Sequence, residues 1–385
     1  MSDSGAANRR LAALLGAHFC ADLFSGVLAG FLPAVLVYYD LDLRYGAIMM
    51  TSLGIGSNFL QVPAARVAAR RADPGALIAG LALCGTFPVL ALLPRTTPLW
   101  GLCLVMFCVG VGIALVHPQG LRGIQTLTEL PARVSTPIFM IGGFLGYAVS
   151  PFTGGLLVQT FGMKGILWIL LLPAAVIAAI LLTHVRLAVE VPGQAADPAG
   201  AREEPCRWSF ARIWTMALFL NTGTLTISSL LPTMLHGHGF SLGFGGFSAM
   251  LFGLGSATGS LLVGYAAKRI RPERLIVAGL CAGIPACALY LALSQYRAAA
   301  VLLFFAGLSV AAGFPQMVAL IRTVKSRFAL STRNGMLVGW TWGIGGLIFL
   351  GMGVLAERCG VMTAVATGVA SYVVTLILSV LPTKK

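Results

Sequence analysis

Long apolar runs, each interrupted by a short polar interval, repeat from one end of the chain to the other. They fall near 11–38, 45–69, 75–94, 98–120, 134–160, 163–184, 210–235, 243–267, 274–294, 298–321, 334–356 and 361–381. A helix crosses the hydrocarbon layer with ~20 residues, and every run is of that order. The residue-by-residue alternation of a lipid-facing barrel strand is absent. The pattern predicts an all-α membrane protein of twelve transmembrane helices, called segments 1 to 12 below. The longest connection, from Arg186 to Arg212, contains VPGQAADPAGAREEP and reads as a flexible linker. It divides the chain into a six-helix bundle over 1–184, a cytoplasmic linker over 185–209 and a second bundle over 210–385.

The two bundles are related in sequence. Asp22 and Pro33 of segment 1 correspond to Asn221 and Pro232 of segment 7, both at an offset of 199. LGIGS at 53–57 corresponds to FGLGS at 252–256 at the same offset, and Arg70 then falls on Arg269. His117-Pro118-Gln119 corresponds to Phe314-Pro315-Gln316, and Gly142-Gly143 to Gly345-Gly346. Similar offsets in the same order predict two six-helix pseudo-repeats around a central cavity.

Composition agrees with lipid as the solvent. Residues are 58% hydrophobic and 10% charged, and Gly reaches 47; mean hydropathy is +0.90. A soluble chain of 385 residues has no core large enough for so much apolar surface. The net charge of +14 does not indicate nucleic acid, because the basic residues sit in short clusters between apolar runs. Of the 26 Lys and Arg, only Arg44, Arg95, Lys164, Arg297 and Arg358 fall on one side of the twelve-segment topology. The positive-inside rule then places both termini and the linker in the cytoplasm, here of a bacterial inner membrane. Eight scattered cysteines, with no CxxC pair, read as packing residues. The polar start Met1–Asn8 has no cleavage pattern, so segment 1 is expected to stay attached.

Several stretches resemble the major facilitator superfamily of secondary transporters and, within it, the fosmidomycin-resistance group of drug exporters. They are HFCADLFSGVLAGFLPAVL at 18–36, GVGIALVHPQGLRG at 110–123, FMIGGFLGYAVSPFTGG at 139–155 and GMLVGWTWGIGGL at 335–347. The resemblance implies the major facilitator fold and transport by alternating access. Gly146-x-x-x-Ser150-Pro151-x-x-Gly154-Gly155 resembles the antiporter signature of exporters, with Ser150 in place of a Gly. The chain departs from the superfamily in the loop after segment 2. Ala65 and Ala69 stand where Gly and Asp are expected, and Lys268 replaces the corresponding acid in the second half. The subgroup's usual Glu after His-Pro is here Gln119.

Polar residues inside apolar runs are costly and mark pathways. Asp22 lies mid-run, with His18 four residues earlier on the same helical face. His117 closes segment 4 beside Pro118, which removes a backbone donor and is expected to loosen the helix there. Asp22, His18 and His117 are the expected proton-coupling residues. The expected substrate contacts are Gln119, Arg122, Asn221 and Gln316, with Phe31, Tyr147, Trp340 and Trp342 as an apolar lining. Snorkelling to lipid phosphate is the plainer role for Arg122. No metal-ligand cluster is legible, the His236/His238 pair lacking a third ligand, and no cofactor is expected. A hydrolase is disfavoured because no nucleophile–base–acid set is present.

The function expected from all this is proton-coupled export of a small anionic or amphipathic organic compound by a monomer. Proton-coupled import of an organic anion is the rival within the class. A transport-dead sensor or scaffold, favoured by the missing loop acids, is the rival outside it.

Overall fold

The computed structural model describes residues 2–68, 70–130, 132–189, 206, 208–267, 269–310, 313–324, 326–328, 333 and 335–382. The body of the expected linker, 190–205, lies outside them, as does Lys268. Among the described residues every regular element is a helix, joined by turns, with no strand. Among them, ten helices are long and apolar enough to cross a membrane. The helices matching segments 2 and 3 come in pieces. Segment 2 is Leu43–Phe59 followed by Gln61–Ala68, and segment 3 is Gly75–Cys84 followed by a tighter turn at Phe87–Ala91 with Pro88 in its first turn. The others run as Ser2–Tyr39, Leu99–Gln125, Ala132–Phe161, Met163–Leu182, Phe210–Gly237, Leu242–Ala266, Pro272–Ala292, Ala300–Val310 with Gly313–Thr323, Met336–Cys359 and Val361–Val380.

Two prolines act differently. Pro33 sits just beyond a kink in segment 1 at Phe31, whose φ of −130° and ψ of 18° leave the helical region. Pro118 was expected to break segment 4. Instead the helix continues through it from Leu99 to Gln125, five residues past the expected end. The polar stretch therefore lies inside a helix and is aimed inward.

Each half has its own apolar core, one built from residues 11–187 and the other almost wholly from 208–372. The sequence repeat reappears as packing. A Cβ built on Gly110 of segment 4 would lie 2.3 Å from the Leu53 carbonyl oxygen of segment 2. A Cβ on Gly307 of segment 10 would lie 2.1 Å from the Phe252 carbonyl oxygen of segment 8. Leu53 and Phe252 are the first residues of the LGIGS and FGLGS repeats. Both helix pairs pack backbone on backbone, where only glycine fits.

The halves meet mainly toward one end of the bundle. Segment 5 abuts segment 8, where Cβ atoms on Gly155 and Gly246 would strike the carbonyls of Leu242 and Pro151. Gln159 Oε1 accepts from the Gly243 N–H at 2.7 Å. Arg44 of segment 2 pairs with Glu357 of segment 11 at 3.5 Å, and Thr51 donates to the Gly346 carbonyl at 3.0 Å. Toward the opposite end, where segments 1 and 7 begin, no hydrogen bond or ion pair joins described residues of the two halves.

Candidate functional site

Segment 1 packs along segment 5, and its inner face presents His18 and Asp22 one helical turn apart. Segment 4 crosses close by and adds His117. The three side chains form one bonded group. His18 Nε2 lies 3.3 Å from Asp22 Oδ2, and His117 Nε2 lies 3.0 Å from Asp22 Oδ1. The two imidazoles meet edge to face with centroids 5.2 Å apart. His18 is buried, while the Asp22 and His117 side chains keep 21% and 22% exposure, so the group is open on one side.

The outer partners define the bonding. His18 Nδ1 lies 3.0 Å from the Phe139 carbonyl of segment 5, an acceptor, so Nδ1 carries a proton and donates it. His18 also stacks on the Phe139 ring at 4.3 Å. On the other side, Gln61 Nε2 lies 3.3 Å from His117 Nδ1, which accepts. His117 then carries its proton on Nε2 and donates to Asp22. The His18–Asp22 contact also needs a proton, because a nitrogen lone pair facing a carboxylate oxygen is repulsive. With both imidazoles donating to Asp22, the geometry has a place for one proton more than two neutral imidazoles and an ionised carboxylate carry.

Gly143 closes the back of the group. A Cβ there would fall 2.4 Å from both Asp22 Oδ2 and His18 Nε2. Gln61, Phe139 and Gly143 were not among the expected site residues. A carbonyl acceptor has no sequence signature, and Gln61 gains its meaning only beside His117, 56 positions away. The sequence showed no metal-ligand cluster, and the structure brings one candidate grouping together. One ligand atom each from His18, Asp22 and His117 lie within 4.8 Å of one another. Asp22 and His117 are 95 positions apart, which hides the grouping from spacing alone.

Several expected substrate contacts are committed elsewhere. Arg122 is 3% exposed and does not snorkel. Its guanidinium donates to the carbonyls of Ala188 and Arg71, both at 2.7 Å, and to Gln119 Oε1. Gln119 is fully buried and donates to the Ala64 carbonyl. Together they fasten two loops to the end of segment 4, since the Ala188 N–H also returns to the Arg122 carbonyl. Phe31 was expected in an apolar lining but is buried in the first core, edge-on to Phe87, because it continues the buried stripe of Phe24, Val27 and Leu28 on segment 1. Asn221, the counterpart of Asp22, is 2% exposed and donates to Thr341 Oγ1 at 2.8 Å. Gln316 is 4% exposed, and its Oε1 has no partner among the described residues.

The remaining residues are accessible. Tyr147 is half-buried and turns its hydroxyl toward Ser228 of segment 7, bridging the halves near the triad. Trp342 is half-buried against Phe314, and Trp340 is half exposed. His236 and His238 lie at the end of segment 7, where His236 contacts the Phe240 carbonyl.

Comparison with known proteins places this geometry. The family model of the Major Facilitator Superfamily matches residues 14–350. An uncharacterized MFS-type transporter of Bacillus subtilis (strain 168), YfnC, is 26% identical over 157 residues, which is 41% of this chain and 38% of that protein. The match thus spans well under half of the relative's length. Among solved structures, a mutant form of the nucleoside transporter NupG superposes with a TM-score of 0.72 at 15% identity, covering 96% of this chain and 98% of the other. A bacterial homolog of the human lysosomal transporter Spinster, inward-facing and occupied, superposes with a TM-score of 0.71 at 17% identity, covering 96% and 94%. At these identities the likeness is one of fold.

Proposed function

The chain belongs to the Major Facilitator Superfamily, and from that premise we propose that it is a proton-coupled exporter of a small organic compound. The observation that carries this reading is the bonded set His18–Asp22–His117. It offers a place for one exchangeable proton, is open on one side, and ties segment 1 to segments 4 and 5. Loss of that proton leaves His18 one N–H for two acceptors, Asp22 Oδ2 on its own helix and the Phe139 carbonyl on segment 5. One of the two contacts then has to open, and the tie from segment 1 to segment 5 depends on which nitrogen keeps the proton. A proton taken or lost there is thereby coupled to helix position, which is what alternating access requires.

The charge asymmetry of the sequence orients the molecule, with both termini in the cytoplasm. The joined end, at Arg44–Glu357 and Gln159–Gly243, then faces outward. A compound would enter from the cytoplasm beside Tyr147 and Trp342 and meet the triad. The segment 5 signature around Pro151 supports export, since this stretch forms the seam with segment 8. The resemblance to drug exporters, a bacterial inner membrane and a monomeric working unit complete the reading.

The test is transport in everted vesicles under an imposed pH gradient, screened with a compound panel. Asp22→Asn is expected to abolish gradient-driven transport while leaving folding and gradient-free substrate exchange in place. A well-folded Asp22→Asn protein with wild-type gradient-driven transport would falsify the assignment. Orientation is tested separately, and a reporter fused after Lys385 is expected on the cytoplasmic side.

A further inference from the structure

We propose that His18, Asp22 and His117 also form a binding site for a divalent transition metal of the zinc class. The site shares its residues with the proposed proton group, but metal binding at rest does not depend on coupling. Two imidazole nitrogens and a carboxylate are a donor set that zinc and its neighbours prefer. The spacing fits. Four donors around zinc at ~2.05 Å stand about 3.3 Å apart in a tetrahedron. The observed separations are 3.3 Å from His18 Nε2 to Oδ2 and 3.0 Å from His117 Nε2 to Oδ1. A metal between the rings, with Asp22 bidentate, takes the place of the shared proton, and the two imidazole nitrogens, within 4.8 Å of each other, close on it by side-chain rotation.

The surroundings have the form that metal sites use. A ligating histidine donates its other ring N–H to a carbonyl or carboxylate, which fixes the tautomer and aims the free nitrogen. His18 does this through Nδ1 to the Phe139 carbonyl, and Nε2 points at the cluster. His117 has the Gln61 amide at Nδ1, and turning that amide over offers Oε1 as the acceptor for an Nδ1–H. Gly143 walls one side, so no side chain fills the space. The partial exposure of Asp22 and His117 leaves the other side for entry and for a water ligand.

The test uses the purified full-length protein in detergent, titrated with Co²⁺ alone as a spectroscopic substitute for Zn²⁺. One equivalent is expected to bind, with visible absorption of a four- or five-coordinate ion and no thiolate charge-transfer band. Zn²⁺ is expected to displace it. His117→Gln keeps a donor toward Asp22 but removes the imidazole. It is expected to weaken binding by at least about tenfold while the elution profile and thermal midpoint without metal stay near wild type. His236→Ala, on the outer loop, is expected to leave binding unchanged. Wild-type protein that binds no Co²⁺, or binding that survives both His117→Gln and His18→Ala, overturns the proposal. So does a thiolate band, which would assign the ion to cysteine. These readouts need no gradient, so metal binding can fail while Asp22→Asn still abolishes coupling, and the reverse.

Discussion

The two halves of this molecule share a backbone plan and differ in chemistry. Gly110 meets Leu53 as Gly307 meets Phe252, at nearly the same offset and with nearly the same closeness. The polar counterparts do not behave alike. Asp22 is held by two imidazoles from segments 1 and 4, whereas Asn221 donates to a hydroxyl on segment 11. Gln119 is braced by Arg122, while Gln316 leaves its oxygen without a partner among the described residues. Gly143 is pressed against the charged group, and Gly346 has nothing within 4 Å of a built Cβ. Packing between helices constrains size at every repeat position. Ionisable chemistry needs only one copy, because a transporter with one proton group can couple both halves through their seam.

Moving the acid across tests this most severely. Asn221→Asp would put a carboxylate where Asn221 now donates, facing a Thr341 hydroxyl that is already bonded to the Leu337 carbonyl. No cation answers it in that contact. The expected cost is about 3–5 kcal/mol, the penalty of an unpaired buried charge, read as a clear fall in thermal midpoint in detergent. Combining it with Asp22→Asn is expected not to restore gradient-driven transport. Restored coupling would mean that the two halves are chemically interchangeable.

The glutamine pair gives the next largest difference. Gln119→Leu leaves the buried Arg122 guanidinium short of one acceptor, at a cost of about 2–3 kcal/mol. Gln316→Leu removes an oxygen with no partner among the described residues and is expected to fall within about 1 kcal/mol of wild type. Equal losses at both sites would show that Gln316 is also bonded in the working protein.

How far the sequence reaches is visible in these same residues. Lipid requires long apolar helices with internally bonded backbones, so the helical plan is written in hydropathy. The repeated glycines are legible because close helix approach admits no larger residue. Asp22 with His18 is legible through the four-residue turn, and His117 through its cost in an apolar run. What cannot be read is direction. Gln119 and Arg122 look like cavity residues but fasten loops through carbonyls of Ala64, Arg71 and Ala188, which any residue could supply. Phe31 looks like a lining residue, but it shares the buried face of Phe24, Val27 and Leu28. Pro118 looks like a break, yet the surrounding helix carries it.

The glycine pair separates packing from chemistry. Gly143→Ala would drive a methyl group into Asp22 Oδ2 and His18 Nε2, and is expected to cost about 1–3 kcal/mol. Gradient-driven transport is expected to suffer more than stability, because the contact displaced is the one proposed to hold the exchangeable proton. Gly346→Ala meets open space and is expected to be near neutral in both measurements. Thermal unfolding and vesicle transport on the same two variants make the comparison. A neutral Gly143→Ala would show that the triad has room to spare.

The smallest expected effect lies at Gln61, whose counterpart at the offset of 199 is Ser260. Ser260 spends its hydroxyl on the Ser256 carbonyl of its own helix, at 2.9 Å, and reaches nothing in a neighbour. Gln61 instead reaches across to His117 Nδ1 and holds the tautomer that donates from Nε2 to Asp22. Gln61→Ser copies the second half into the first. A serine there is short enough to bond back to its own helix, as Ser260 does, and His117 is left free to place its proton on either nitrogen. Half of the contact to Asp22 is then no longer fixed, while the ring, the carboxylate and His18 all remain. The expected result is a loss of a few-fold in gradient-driven transport, with gradient-free exchange and thermal midpoint unchanged. Ser260→Ala is expected to change neither. A Gln61→Ser protein with undiminished coupling would show that Asp22 and His18 alone orient His117. A complete loss would make Gln61 a member of the proton group rather than its support.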